Sequence, residues 1–284
     1  MDWQNWRTLQ KFLIFVPIAL LLSSFGILYS QHSQTGDIFI KSIELKGGTT
    51  ITLHSPSRFD IPAIEKSLAS FGQVSVREIR GFAGFGVTIE AAANADTAAM
   101  LDKLAEGGID TSGSTVESVG PALGQSFWYQ AQTGIVAAFI AMAVIVFFIF
   151  RTYIPSIAVV VAAAADIAVT IAFMLLFQIE LSLASLAALL TLIGYSVDTD
   201  ILLTTRMLRG DGSLGERGSR ALKTGLTMTL TSIGALTGLY LAAASAVTNQ
   251  IAAVLIIGLV ADMIFTWILN AAILRWYAAR RGMA

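Results

Sequence analysis

The sequence predicts a polytopic α-helical membrane protein with six transmembrane helices and one extracytoplasmic α+β domain. Three observations carry that expectation. The chain of 284 residues is 55% hydrophobic and only 13% charged, with a mean hydropathy of +0.73, against about 25% charged residues in an average globular domain. Six apolar runs are long enough to cross a bilayer, each near the roughly 20 residues a span requires. Between the first and second runs lies one long polar stretch, residues 31–132, with the alternation of strands and the periodicity of helices.

The first run, about residues 12–30, follows Arg7 and Lys11. It is longer than a signal-peptide core, and no A-x-A-like site follows it in SSFGILYSQHSQ, so it reads as an uncleaved first span behind a cytoplasmic N-terminus, together residues 1–30. Within 31–132, TTITLH (49–54) and VSVREI (74–79) alternate as strands, separated by IPAIEKSLASFG, a helical segment with a glycine stop. GFGVTIEA is a third strand, ADTAAMLDKLAEGG a second helix and STVESVG a fourth strand. The order β-α-β-β-α-β is the split pattern of ferredoxin-like domains. The remaining runs, about 133–151, 154–177, 181–205, 222–244 and 249–274, are joined by short loops and one charged stretch, 206–221, so residues 133–284 form a five-helix bundle with a cytoplasmic C-terminus.

Orientation follows from the basic residues. With the N-terminus in the cytoplasm, Arg7, Lys11, Arg151 and Arg206 and the basic residues of 209–223 and 275–281 all lie on the cytoplasmic side, while the two short outer loops carry no Lys or Arg. The remaining Lys and Arg residues sit in 31–132, long enough to translocate regardless of charge. A net charge of −1 disfavours a nucleic-acid partner. There is no cysteine, no H-E-x-x-H and no G-x-x-x-x-G-K-[ST], so no metal site, cofactor or nucleotide-driven activity is expected, nor an enzymatic one. Asp198 and Asp262 could pair as in an intramembrane aspartyl protease, but GYSVDTD and GLVAD do not match the YD and GxGD motifs of that family.

The chemistry rests on four intramembrane acids, Asp166, Asp198, Asp200 and Asp262. A charged Asp at a helix centre costs about 2.5–3.5 kcal/mol on insertion scales, so each is a functional candidate. Asp198 and Asp200 lie roughly 200° apart on a regular helix and cannot face the same cavity. Asp198 is in step with Thr191, Gly194, Tyr195 and Thr205, and Asp200 with Ser196 and Thr204. The sixth run repeats Gly258, Asp262, Thr266 and Asn270 at four-residue steps, a single polar stripe. In the fifth, Thr224, Thr227 and Thr231 lead to Gly234 and Gly238, a GxxxG packing surface. The last three runs thus offer small and polar faces suited to packing around a hydrated interior. A carboxyl there with access from alternate sides could draw on the membrane potential, about 2.3 kcal/mol per charge per 100 mV. Purely structural hydrogen bonding is the competing reading.

SIELKGGTTITL (42–53), GPALG (120–124) and above all GYSVDTDILLTTR (194–206) resemble the marks of the SecD/SecF family of the RND superfamily, specifically its SecF branch, with the D-x-D form most similar to archaeal members. The resemblance covers essentially the whole chain. It implies an RND-half arrangement of six spans, with SecD as partner, completing a twelve-span bundle that assists unfolded secretory polypeptide through a SecY-type translocon in the cytoplasmic membrane, using the proton-motive force. Bacterial members read G-Y-S-[IV]-N-D-T, which aligns their Asp with Thr199, while V-D-x-D-I-L is similar to the SecD form V-D-A-N-I-L and aligns its Asp with Asp198. Asp198 is therefore the first proton-relay candidate, ahead of Asp200, Asp262 and Asp166. TGLTMTLTS lacks the Arg that bacterial members carry in the fifth span, and Lys223 stands only at its start. A self-sufficient RND-type transporter of small or lipidic solutes, acting as a homodimer, and a passive scaffold subunit are the alternatives.

Overall fold

The computed structural model describes residues 13–55, 57–72, 74–81, 84–243 and 245–282. The segment carrying Arg7 and Lys11 lies outside them. Six of the described helices are long and apolar enough to cross a membrane. The chain begins with α1 (Phe15–Thr35), then a single turn α2 (Ile43–Lys46). The α+β domain follows as β1 (Gly48–Ser55), α3 (Ile61–Leu68), β2 (Ser75–Gly81), β3 (Gly84–Ala91), α4 (Thr97–Glu106) and β4 (Thr115–Val119). The remaining spans are α5 (Pro121–Phe150), α6 (Tyr153–Leu176), α7 (Leu183–Arg209), α8 (Leu214–Ala242) and α9 (Ala246–Ile264), the last continuing through a π-helical turn (Phe265–Asn270) into α10 (Ala271–Arg280).

The sheet order is β2-β3-β1-β4, all antiparallel, with Ile51 opposite both Ile89 and Val116. Alternation places Ile51, Leu53, Val76, Val87 and Ile89 on one face, where they pack with Ile64 and Leu68 of α3 and Met100 and Leu104 of α4. Asp60 and Asp96 start the two helices by accepting the backbone N–H of Ala63 and Ala99, the usual N-cap bond. The opposite sheet face carries Thr88, Glu90 and Arg77 toward the membrane helices.

Two glycine motifs clamp the domain to the bundle. Gly47 has φ of 81°, which an L side chain rarely adopts. A Cβ there would lie 2.6 Å from Pro121 Cα, and one on Gly124 would lie 2.6 Å from Gly47 N. KGG and GPALG thus form one close backbone crossing at the entry to α5. The segment before α2 also pairs with the loop after α6. Ser42 N–H donates to Leu181 O at 3.0 Å and Leu181 N–H to Ile40 O at 2.7 Å, and Glu44 accepts the N–H of Leu183 at the start of α7 at 2.7 Å.

In the membrane region α6, α7 and α9 pack mutually, α8 leans on α7 and α9, α5 on α6 and α7, and α1 on α6. The helices outrun the apolar stretches. Thirty residues make α5 about 45 Å long at 1.5 Å per residue, so it begins at Pro121 inside the stretch assigned to the outer domain. Helix α8 starts at Leu214 rather than near 222, because Ser213 and Glu216 form a reciprocal capping box that holds the polar first turns in helix.

A candidate intramembrane carboxylate site

Three of the four predicted acids converge. Asp166 from α6, Asp200 from α7 and Asp262 from α9 are each fully buried. Ser196 Oγ donates to Asp166 Oδ2 at 2.7 Å. Thr199 Oγ1 lies 3.0 Å from Asp262 Oδ2. Thr266 Oγ1 stands 3.0 Å from both Asp262 Oδ1 and Asp200 Oδ1, and Asn270 Nδ2 donates to Asp200 Oδ1 at 2.6 Å. Each of these hydrogen bonds comes from a hydroxyl or an amide. Asp166 Oδ1 and Asp200 Oδ2, with Thr204 Oγ1 and Asn270 Oδ1, are buried without a hydrogen-bond partner.

The backbone explains the convergence. Residues four apart in an α-helix drift about 40° per step, so a stripe of 258, 262, 266 and 270 would wind off one face. The π turn over Phe265–Asn270 widens the helix there and returns Thr266 and Asn270 to Asp200; such single π turns recur at functional sites. Gly258 lets α9 close on α7, since a Cβ there would overlap the Leu192 methyls. Gly225 does the same for α8 against the Trp267 ring, a contact with no signal in the sequence beyond the glycine itself.

Asp198, placed first from the sequence, stands apart from this cluster. It is exposed on this chain, while Asp200, two residues on, is fully buried. The 200° separation holds, but α6 and α9 pack on the Ser196 and Asp200 face, turning Asp198 outward with Gly194 and Tyr195. Gly234 and Gly238 are also exposed, and a Cβ on Gly194, Gly234 or Gly238 would meet nothing within 4 Å. Their small-residue surface does not join the chain's own interior. Thr199 and Ser196, not ranked as site residues, supply donors to Asp262 and Asp166.

Donor counting defines what the cluster can do. Thr266 has one hydroxyl proton and two carboxylate oxygens within 3.0 Å. It can donate to one; the other contact is favourable only when that carboxyl carries a proton and donates back to Oγ1. The bridge therefore has two arrangements, Asp200–H to Thr266 to Asp262 and the reverse, which differ in that Asp200 Oδ1 also accepts from Asn270.

A second polar cluster joins the sheet to the bundle. Glu180, between α6 and α7, pairs with Arg77 of β2, while Lys46 Nζ pairs with Glu90 of β3 at 2.9 Å. Burial, and then the neighbouring Glu90, push the Glu180 carboxyl up to about 7, against the Arg77 guanidinium.

Six spans around a buried carboxylate cluster, with one α+β domain between the first two, define a multi-pass membrane protein with a polar interior. The family described as protein export membrane protein SecD/SecF, C-terminal, matches residues 99–280. The protein-export membrane protein SecF of Pyrococcus furiosus is 41% identical over 276 residues, covering 95% of this chain and 92% of that protein. SecF of Methanocaldococcus jannaschii is 38% identical over 278 residues, covering 94% and 95%. The crystal structure of SecDF, a translocon-associated membrane protein from Thermus thermophilus, superposes with a TM-score of 0.81 at 19% identity over 97% of this chain, and a SecDF structure in the super-membrane-facing form with 0.59 at 20% over 96%. The chain spans 39% of each of those longer SecDF chains, and at these identities they show the fold. The chain belongs to the SecD/SecF family, in its SecF branch.

Proposed function

We propose that this chain is a protein-export subunit that docks a SecD-type partner through the exposed face of α7 and α8 and moves protons through its buried carboxylates. The carrying observation is Thr266, one hydroxyl held 3.0 Å from two buried carboxylates of different helices. Proton exchange across that bridge changes which span holds the charge, and so the force between α7 and α9. Asp166, held by Ser196, offers the adjoining carboxyl on α6. No Lys or Arg on α8 is needed in this scheme, because hydroxyls pass the proton.

The docking face is argued from cost. Asp198 lies eight residues, about 12 Å along the helix, from Arg206 at the basic end of α7, so its exposed carboxylate would otherwise meet lipid at a cost of up to about 2.5–3.5 kcal/mol. Gly194, Gly234 and Gly238 share exposed faces where another helix can approach closely. Driven by the proton-motive force, the complex would assist unfolded polypeptide through a SecY-type channel, with both termini of this chain in the cytoplasm and the α+β domain outside.

Affinity purification from native membrane tests the partner. SecD at near-equal amounts supports the proposal, and a homodimer without SecD supports a self-sufficient transporter. Export into vesicles with and without an imposed proton gradient tests the chemistry: Asp262→Asn removes the gradient-dependent gain, whereas a full gain in that variant leaves a scaffold role.

A further inference from the structure

A cleft of about 720 Å³ separates the polar face of the sheet from the membrane bundle, away from the carboxylate cluster. Its roof is Arg77, Thr88 and Glu90 of the sheet, and α9 lines it below, down to the apolar Ala253, Ile256 and Ile257. The roof is anchored at one corner. The chain enters the sheet at Gly48 and leaves it at Val119, which are paired across β1 and β4, beside the close crossing of Gly47 with Pro121 and Gly124. From Gly48 the register runs four residues along β1 to Thr52 and then two strands across, through Thr88, to Arg77, about 16 Å at ordinary strand spacings. On an arm of that length a tilt of about 20° moves Arg77 by about 5 Å.

The free edge of the roof meets a braced base. Leu181 is paired with Ile40 and Ser42, and Glu44 takes the N–H of Leu183. Gln250 of α9 donates to Glu180 O at 2.7 Å and accepts from Ser182 Oγ at 2.9 Å, and Ser182 is the N-cap of α7. Glu180 is thereby fixed to α2, α7 and α9, whereas Arg77 and Glu90 belong to the sheet. Each ion pair of the junction joins the sheet to the base, Arg77 to Glu180 and Glu90 to Lys46. The charged groups facing Glu180 are Arg77 from β2, Glu90 from β3 and Lys46 from α2; α7 and α9 present hydroxyls and amides, and Lys41 is held by Asp37. Glu180 and Glu90 thus bring two carboxyls together in a partly buried junction. With a proton on Glu180 the pair can hydrogen-bond, and without it two carboxylates repel.

We propose that the sheet is a lid on this cleft, hinged at the glycine crossing and latched at its β2 edge through Arg77 and Glu180, and that loss of the proton shared by Glu180 and Glu90 opens it. Burial and Glu90 hold the Glu180 carboxyl at about 7 in place of 4.5, so protonation favours the closed lid: closure is fully favoured below pH 4.5 and weakens as pH rises through about 7. Opening uncovers the apolar lower face of the cleft. The lid rests on the fold and on this junction and not on proton exchange among the buried Asp residues.

The chain has no cysteine, so two can be introduced as unique spin-label sites in the full chain in lipid nanodiscs. Glu65→Cys lies on α3, which packs on β2, and Leu176→Cys at the end of α6, and both positions are exposed. Double electron–electron resonance is expected to give one short distance at about pH 5.5 and a second population, longer by about 5 Å, at about pH 8.5. Glu180→Gln, which keeps that side chain neutral, should hold the short distance at both pH values. Glu90→Gln removes the facing charge and carries the same expectation, so it reads the latch should the first variant fail to fold. Arg77→Gln should enlarge the long population at both. A single unchanged distance in wild type, a long population of wild-type size in the folded Glu180→Gln or Glu90→Gln variant, or an Arg77→Gln variant indistinguishable from wild type would each overturn the proposal.

Discussion

Replacing Thr266 by Val removes one hydroxyl and keeps the branched shape of the side chain. In the buried bridge Oγ1 lies 3.0 Å from Asp200 and Asp262. Asp200 keeps Asn270 at 2.6 Å and Asp262 keeps Thr199 at 3.0 Å, so neither carboxyl is stripped, but one oxygen loses its donor. An unsatisfied buried acceptor costs about 1–3 kcal/mol, which sets the expected loss of stability and lowers the melting temperature without unfolding the chain. The effect on transport should be larger, because the two carboxyls are no longer joined through a group that both accepts and donates. The assay is polypeptide translocation into vesicles containing this chain, SecD and the translocon, with and without an imposed proton gradient. Thr266→Val is expected to lose the gradient-dependent increment while retaining gradient-independent export, and Thr266→Ser to restore it. A Val variant with the full increment would refute the bridge as part of the proton path.

Adding a methyl group at Gly258 drives a Cβ into Leu192; Gly258→Ala is expected to cost about 1–3 kcal/mol through overpacking, read as a lower melting temperature in detergent. Gly234→Leu adds bulk where the chain offers nothing within 4 Å, so its melting temperature should match wild type while co-purified SecD falls; retained SecD would move the docking face elsewhere. Asp198→Leu should likewise leave the isolated chain folded and weaken the complex, measured by the same pull-down. The Glu180 carboxyl, raised to about 7 from an ordinary value of 4.5, binds its proton more tightly folded than unfolded, so its contribution to stability is present below pH 4.5 and is lost as pH rises toward 7. Melting temperatures across that window should fall in wild type and stay flatter in Glu180→Gln; identical slopes would contradict the assignment.

Apolar runs made the six spans legible because bilayer thickness sets their length, and β-strand alternation made the sheet legible because one face is apolar against α3 and α4 and the other is polar. Helical phase separated Asp198 from Asp200 but could not say which faces inward. That depends on where α6 and α9 pack, and a single helix carries only relative angles. The stripe of Gly258, Asp262, Thr266 and Asn270 was visible at four-residue spacing, while the π turn that brings its lower half to Asp200 was not. Gly234 and Gly238 announced close packing without naming the partner. The start of α8 has a readable signal, Ser213 with Glu216 three residues later, obscured by the polar residues that follow it. The pairing of Glu180 with Arg77 spans 103 residues and had no local signature.

Infrared difference spectroscopy of the buried carboxyls addresses the proton bridge most directly. With the chain in lipid and the pH stepped, wild type should show a protonated-carboxyl band whose change with pH is lost in Asp200→Asn and in Asp262→Asn, and altered in Thr266→Val. A spectrum without any pH-dependent carboxyl band, or with one that all three substitutions leave unchanged, would contradict proton exchange at this site.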